Sequence, residues 1–267
     1  MTICIAAACE GKYVVVATDR MLTVGLPNIE VESDFAKANE IATNCLAATA
    51  GSALAHTPIF RDVRVGVMQE ATKSIDRIAE LMRTAYVAAR NKKVEEEVLF
   101  PLGLDILSWQ KAPAQLLGPL VQNMSRVKYG LWILLAGVDE NGPHIYRIEN
   151  PGKTTNFDPI GYHAIGSGDL HALSTFILSG QGLKTPLQRG LAIAFEAKKR
   201  SEKATGVGEQ TDMYVVTKDR VTHLPENAIA QLNDVYQKRL EQERKVVSEV
   251  ESVISKLDIL KYVECPT

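Results

Sequence analysis

The sequence predicts an α+β fold, because its strand and helix patterns come in blocks and do not alternate one by one. Short apolar runs occur before residue 51 and return between residues 131 and 148. Helical patterns follow both blocks, and further strands precede a last helical stretch that begins near Pro225. This order is typical of helices packed on antiparallel sheets and not of βαβ units.

The first block opens with two apolar runs, Ile3–Cys9 and Tyr13–Thr18, joined by the polar turn Glu10-Gly11-Lys12. Two such runs around a glycine-containing turn predict a β-hairpin. Neither run alternates between apolar and polar residues, so we expect both faces of the hairpin to be covered. A carboxylate, Asp19, follows the second run directly.

The next stretch reads as a polar connection from Val24 to Asp34 and two short strands within Ile41–Ala50. A first helix is expected to start near Thr57, since proline at residue 58 is favoured in a first helical turn. A second helix has an apolar face made of Ile75, Ile78, Leu81, Met82 and Ala85. Residues 98–124 are apolar but broken by Gly and Pro. A packed insertion is favoured there over an oligomer contact or a cover over a cleft.

In the second half, Asp139-Glu140-Asn141-Gly142 is a strong hairpin turn between two apolar runs. Gly166-Ser167-Gly168 then connects a strand pattern to a helical one. Such a turn can bind a phosphate, but it lacks the glycine spacing of a dinucleotide site and the lysine of a P-loop. The final helical pattern reaches about Leu260 and fits packing on the same domain or against a neighbour.

Composition narrows the functional classes. Hydrophobic residues make up 46% of the 267 residues, enough for a packed core, and the net charge of -2 gives no reason to expect nucleic acid or an anionic membrane surface. The four cysteines have no paired spacing, which argues against a disulfide framework or a metal site and fits a cytoplasmic location. The sequence shows neither a secretory signal nor an apolar run of about 18 residues, so we expect no membrane span.

Thr2 suggests a specific chemistry. A threonine hydroxyl is a weak nucleophile unless a base lies beside it, and a threonine at the chain start supplies that base as its own α-amino group. Removal of Met1 would free this amine, which titrates near pH ~8. A lysine close to the hydroxyl, such as Lys37, would favour its deprotonation, and Asp19 would keep that lysine charged and in place.

These residues and their spacing resemble the proteasome β-type subunits and their bacterial relatives, members of the N-terminal nucleophile (Ntn) hydrolase superfamily. Val15–Thr23 looks like the second strand of that family, with Asp19 as its aspartate and Thr23 four residues on. Lys37, in Ala-Lys-Ala, stands at the place of the family lysine. Gly51, in Thr-Ala-Gly-Ser, is similar to the glycine whose N–H serves the family as oxyanion donor.

The second half of the chain carries the rest of the resemblance. Ser167 falls on the serine that lies beside the nucleophile in the family. Glu202 and Thr205 stand where the family has an aspartate and a serine three residues apart, so the functional groups agree but each side chain is larger. The loop that continues to Asp212 is also longer than in the family.

The resemblance implies a four-layer αββα sandwich. It implies a single proteasome-like domain over residues 1–267, with an insertion at about 98–124 and a C-terminal helical extension at about 226–260. It further implies a cytoplasmic threonine-type hydrolase without cofactor or metal that cleaves peptide bonds of a peptide or unfolded protein. A homo-oligomer, in a ring or related assembly, is implied as well, and an ATPase partner is compatible with it.

The same resemblance implies a role for each residue. Thr2 would attack the amide carbonyl after removal of Met1, with Lys37 and Asp19 favouring deprotonation of its hydroxyl. Gly51 would stabilise the oxyanion, and Thr23 together with the edge at Gly51 would pair with an extended peptide. The amine and a water would be oriented by Ser167 with Glu202 or Thr205.

Two other readings stay open at this point: a catalytically silent proteasome-like subunit that keeps Met1 and acts by assembly, and an amidase acting on a small molecule.

Overall fold

The computed structural model describes residues 2–24, 29–32, 36–52 and 54–256. The α+β class is confirmed. Within these residues the chain forms two five-stranded antiparallel sheets, a two-stranded ribbon and six α-helices.

The first sheet has the predicted N-terminal hairpin at its centre. Its strands, in spatial order, are β10 (Tyr162–Gly166), β1 (Ile3–Cys9), β2 (Tyr13–Asp19), β11 (Thr211–Val216) and β12 (Val221–His223). All of β1, and all of β2 except its first residue, is buried. The lack of alternation in the sequence therefore reflects cover on both faces, as predicted. Helix α4 (Asp169–Leu178) packs against β10 and β1, and helix α5 (Leu187–Ser201) against β1 and β2.

The second sheet carries the other helices. Its strands, in spatial order, are β5 (Ala38–Ala42), β6 (Cys45–Gly51), β7 (Leu131–Asp139), β8 (Gly142–Glu149) and β9 (Lys153–Asn156). Helices α1 (His56–Glu70) and α2 (Ile75–Val94) bury one apolar cluster with this sheet, which includes Phe60, Met82 and Ile133. A separate cluster joins side chains of both sheets, such as Ala6 and Val16 of the first and Leu134 of the second.

The connection expected at residues 24–34 is in part a hairpin. Strand β3 (Met21–Val24) pairs with strand β4 (Ile29–Glu32) in a separate ribbon. The physical reason is visible in Ile29-Glu30-Val31-Glu32, where apolar and acidic residues alternate as in a strand with two different faces. The remaining residues of this connection lie outside the described part.

The segment predicted as a packed insertion has its own small core. After α2 it continues through a π-helical turn at Glu95–Leu99 and short 3₁₀ turns to helix α3 (Ala114–Arg126). Its buried cluster consists of Val94, Leu99, Ala112, Leu120 and Val127. Gly118 and Pro119 lie inside α3, so not every Gly and Pro of this segment breaks regular structure, and the segment still buries apolar side chains.

The chain divides into two units, Met1–Pro225 and Glu226–Thr267. The second contains helix α6 (Glu226–Ile254), in which no described residue is buried. This helix accounts for most of the predicted extension at 226–260, whose last residues lie outside the described part. None of the helices in the described residues combines the length and the apolar character needed to cross a membrane.

Gly190 of α5 is a test of the packing between this helix and β1. A Cβ atom there would lie 2.2 Å from Cys9 Sγ, whereas one at Gly118 of α3 would meet nothing within 4 Å. We expect Gly190→Ala to lower the free energy of unfolding by about 1–3 kcal/mol through overpacking. Gly118→Ala is the helical control. Its gain in helix propensity is opposed by the pre-proline restriction at Pro119, so the free energy of unfolding should stay within about 1 kcal/mol of the wild type. Urea unfolding of both variants checks this, and equal effects would contradict the described packing.

His144 of β8 contacts the carboxylate that ends β7 and a carboxylate that follows β9. Its Nδ1 lies 2.7 Å from Asp158 Oδ2, and its Nε2 lies 3.1 Å from Asp139 Oδ1. Asp139 in turn accepts a hydrogen bond from the backbone N–H of Ile75, the first residue of α2. The hydrogen bond with Asp158 raises the pKa of His144 to about 9, although burial opposes the shift.

We expect this raised pKa to make stability depend on pH. Because the folded pKa of about 9 lies above the usual value of 6.5, the stabilisation is complete below pH 6.5 and is lost as the pH rises through 9. The loss should be about 2 kcal/mol, allowing for screening. Urea unfolding at both ends of this window measures it. His144→Gln is the control and should lack this part of the dependence; an unchanged dependence would contradict the assignment.

Candidate active site

Three separate elements bring Thr2, Asp19 and Lys37 together. Thr2 directly precedes β1, Asp19 ends β2, and Lys37 directly precedes β5 of the other sheet. Because Cys4 pairs with Thr18 in the antiparallel hairpin, the start of β1 lies next to the end of β2. The site therefore forms where the two sheets meet at one end.

The side chains of these three residues form a closed, buried triangle. Thr2 Oγ1 donates to Asp19 Oδ1 at 2.5 Å, and Lys37 Nζ donates to the same Oδ1 at 2.7 Å. Lys37 Nζ also donates to Thr2 Oγ1. The exposed fractions are 2% for Thr2, 0% for Asp19 and 4% for Lys37. A hydroxyl thus lies between an ammonium and a carboxylate, away from bulk water.

Backbone donors fix the orientation of Asp19. The Ile3 N–H donates to Oδ1 at 3.0 Å, the Met21 N–H donates to Oδ2 at 3.2 Å, and the Gly208 N–H donates to Oδ2 at 2.9 Å. Both carboxylate oxygens therefore have several fixed donors. A carboxylate held in this way does not rotate freely, and it therefore fixes the positions of Lys37 and of the Thr2 hydroxyl.

Ser167 lies beside the main chain of Thr2, as the resemblance implies. The Thr2 N–H donates to Ser167 Oγ at 3.3 Å, and the Ser167 hydroxyl donates to the carbonyl of Thr205 at 3.1 Å. Gly166, just before Ser167, has a φ of +112°. A Cβ atom at Gly166 would lie 2.2 Å from the carbonyl oxygen of Thr2, so the close approach requires glycine.

Glu202 and Thr205 take different places from those expected. The carboxylate of Glu202 binds Lys198 at 2.5 Å and Lys199 at 2.7 Å, so it is engaged on α5 and not at Thr2. The reason is spacing, because residues three and four apart face each other on a helix. Thr205 reaches the site only through its backbone carbonyl, and its side chain is exposed.

Gly51 lies at the end of β6 on the Thr2 side. The Thr49 N–H donates to the Lys37 carbonyl, and the Ser52 N–H donates to the Gly130 carbonyl on the β7 side. Alternation along a strand therefore turns the Gly51 N–H towards the side of Lys37. Thr23 belongs to β3, and its side chain lies outside the described part of the structure.

A cavity of about 420 Å³ opens beside Thr2. Its wall includes Thr2, Gly51, Ser167, Trp132 and Arg147. This size lies in the range of small-molecule and side-chain pockets. The nucleophile candidate, the glycine at the end of β6 and Ser167 therefore share one space that a substrate can enter.

Two features of the surroundings escaped the sequence reasoning. Arg20 forms a bidentate pair with Asp212, at 2.8 and 2.6 Å, directly after Asp19. Lys198 of α5 is fully buried and binds the loop that contains Gly208. The helical pattern does place Lys198 on the apolar face of α5 with Ala194 and Phe195, and a lysine on such a face is the signal that points to a buried partner.

In the part of the chain that the structure describes, no group of three or more His, Cys, Asp or Glu side chains is arranged to hold a metal ion. No protein-family model matches the sequence, and no curated protein is significantly similar to it. What the site can do is therefore argued from its geometry: a buried hydroxyl, an ammonium and a carboxylate in mutual contact at the mouth of a cavity.

Proposed function

We propose that this chain is an amide hydrolase of the N-terminal nucleophile type, similar to the proteasome β subunits, with Thr2 as nucleophile after removal of Met1. The observation that carries the proposal is the triangle of Thr2 Oγ1, Lys37 Nζ and Asp19 Oδ1. It places the hydroxyl against a fixed positive charge and against the carboxylate that fixes this charge, while the base is the free α-amino group of Thr2.

The burial of Lys37 and Asp19 supports catalysis over a purely structural role. A buried ion pair costs desolvation energy that a well-packed apolar pair would not, so it is weak evidence for stability. Such groups concentrate at functional sites, where they shift the protonation of a neighbour. Here that neighbour is Thr2 Oγ1, which contacts both charges.

The proposed reaction has two stages. The Thr2 hydroxyl attacks the amide carbonyl while its proton passes to the free α-amino group, and the C–N bond then breaks as that proton moves to the departing amine. Water next attacks the resulting ester, the amine again takes the proton, and the Thr2 oxygen leaves with a proton. Lys37 stabilises the negative charge that develops on Oγ1 in both stages.

The other residues at the site have supporting roles. The Gly51 N–H stabilises the oxyanion. Because the negative charge develops on this oxygen only towards the transition state, the interaction raises the rate. Ser167 holds the amine, in line with its 3.3 Å contact to the nitrogen of Thr2. The cavity beside Thr2 receives part of the substrate. Glu202, which lies with Lys198 and Lys199, has no direct part in this mechanism.

The proposal extends to architecture and assembly. Helices on the outer faces and a shared apolar cluster between the two sheets support a four-layer αββα sandwich. By the resemblance, we propose that the substrate is a peptide or unfolded protein, bound as an extended strand at Thr23 and Gly51. On the basis of the same resemblance, we propose that the chain assembles into a homo-oligomer and that an ATPase can act as its partner.

Intact mass and covalent labelling test the proposed function. The purified protein should have lost Met1 and should react with a peptide epoxyketone, an electrophile that needs both a hydroxyl and a free amine on one residue. Peptide mapping should place the label on Thr2, and Thr2→Ala should remain unlabelled. Retention of Met1 with no labelling would overturn the proposal and favour a silent subunit that acts by assembly.

A further inference from the structure

Lys198 is a fully buried lysine with three acceptors around its ammonium group. Its Nζ lies 2.5 Å from Glu202 Oε1, 2.9 Å from the Gly208 carbonyl oxygen and 2.7 Å from the Glu209 carbonyl oxygen. An ammonium has three N–H donors, so each donor has one acceptor. A lysine on the buried face of α5 thus holds a loop that follows the helix.

The loop that Lys198 holds touches the candidate active site directly. The Gly208 N–H donates to Asp19 Oδ2 at 2.9 Å, while the Gly208 carbonyl accepts from Lys198 at 2.9 Å. Gly208 is also closely packed on one side, because a Cβ atom there would lie 2.3 Å from Glu32 Oε1 and 3.1 Å from Met21 Cβ. A short path therefore runs from Lys198 through Gly208 to Asp19.

The charge of Lys198 fits this arrangement. Burial lowers its pKa to about 8, and the Glu202 carboxylate opposes the shift. The protonated amine has one N–H for each of its three acceptors, the Glu202 carboxylate and the two loop carbonyls. An apolar side chain of similar length, such as methionine, would leave the Gly208 and Glu209 carbonyls without their donor. The loss of these hydrogen bonds favours a displaced loop.

We infer that Lys198 is a positioning residue that holds the Gly208 N–H against Asp19 and thereby fixes the carboxylate that orients Lys37 and Thr2. As a statement about catalysis, the inference rests on the proposed function. As a statement about the loop, it stands on the contacts alone. Lys198 does not touch Thr2 in any described contact, so its effect on rate passes through Asp19.

Hydrogen exchange of the Gly208 amide tests the loop without any need for activity. Lys198→Met should accelerate this exchange at least tenfold. Lys199→Met is the matched control, because Lys199 binds Glu202 at 2.7 Å but has no described contact with the loop carbonyls. If Lys198→Met does not fold, Lys198→Gln, whose amide still donates, should give a smaller acceleration. Unchanged exchange at Gly208 in whichever of these two variants folds overturns the inference.

Kinetics test the second step, in which the loop acts through Asp19. With a fluorogenic peptide amide, Lys198→Met should lower kcat by about 10- to 100-fold with little change in KM, since a displacement of about 1 Å costs this much in rate. Lys199→Met should keep both constants. A rise in KM alone would assign Lys198 to substrate binding and overturn the positioning role. An inactive wild type would refute the proposed function, while the exchange measurement would still decide the role of Lys198 in the loop.

Discussion

Replacement of Thr2 by alanine should reduce amide hydrolysis at least ~1,000-fold, because it removes the proposed nucleophile and leaves only binding and electrostatic effects. Alanine at this position keeps removal of Met1 feasible, so the loss would not arise from processing. Thr2→Ser should keep part of the activity, since it retains the hydroxyl. Initial rates with a fluorogenic peptide amide, measured on folded variants, check this expectation.

Thr18 supplies a matched control for that experiment. It is a buried threonine one residue before Asp19, and its Oγ1 has no hydrogen-bond partner in the described structure. Thr18→Val keeps the shape of the side chain and removes an unsatisfied hydroxyl, so activity should stay near that of the wild type. Full activity in Thr2→Ala would refute the assignment, and an equal loss in Thr18→Val would attribute the effect to packing.

Replacement of Lys37 by methionine should cost about 3–5 kcal/mol of folding stability, because it leaves the fully buried Asp19 carboxylate without its cation. Turnover should be lost as well, since the charge beside Thr2 Oγ1 is gone. Urea unfolding gives the first quantity and peptide hydrolysis the second. Among single substitutions at this site, we expect Lys37→Met to cause the largest loss of folding stability.

A double variant separates the two consequences of losing Lys37. Lys37→Met with Asp19→Asn removes both charges, so much of the stability should return while activity stays absent. If Lys37→Met alone is as stable as the wild type, groups other than Lys37 compensate the buried charge of Asp19, contrary to our expectation. Retained turnover in that variant would exclude Lys37 from the mechanism.

The sequence predicts the parts of the fold that depend on local pattern. The hairpin of β1 and β2 was found from its apolar runs and its Glu-Gly-Lys turn, and it lies at the centre of the first sheet. Asp19 and Lys37 were found because a carboxylate ends the second apolar run and a lone lysine follows, at the places of the family aspartate and lysine. Their mutual contact was expected from the resemblance, and the structure brings their side chains to 2.7 Å.

The features that escaped prediction depend on contacts between distant segments. Gly208 and Asp19 are 189 residues apart, and no local pattern indicates that the N–H of one faces the carboxylate of the other. Glu202 was expected at the nucleophile, but Lys198 lies four residues before it on the same helix face and binds it. The β3–β4 ribbon was missed because its strands are short and lie in a stretch with many polar residues.

The central position of β1 has a practical consequence for handling the protein. Since β1 pairs with β2 on one side and β10 on the other, Thr2 is held with its nitrogen 3.3 Å from Ser167 Oγ. Residues fused ahead of Thr2 would keep that nitrogen in an amide bond, in which it cannot act as the base of the proposed mechanism. A purification tag at that end would leave the proposed mechanism without its base, so a fusion at the carboxyl end is the appropriate design.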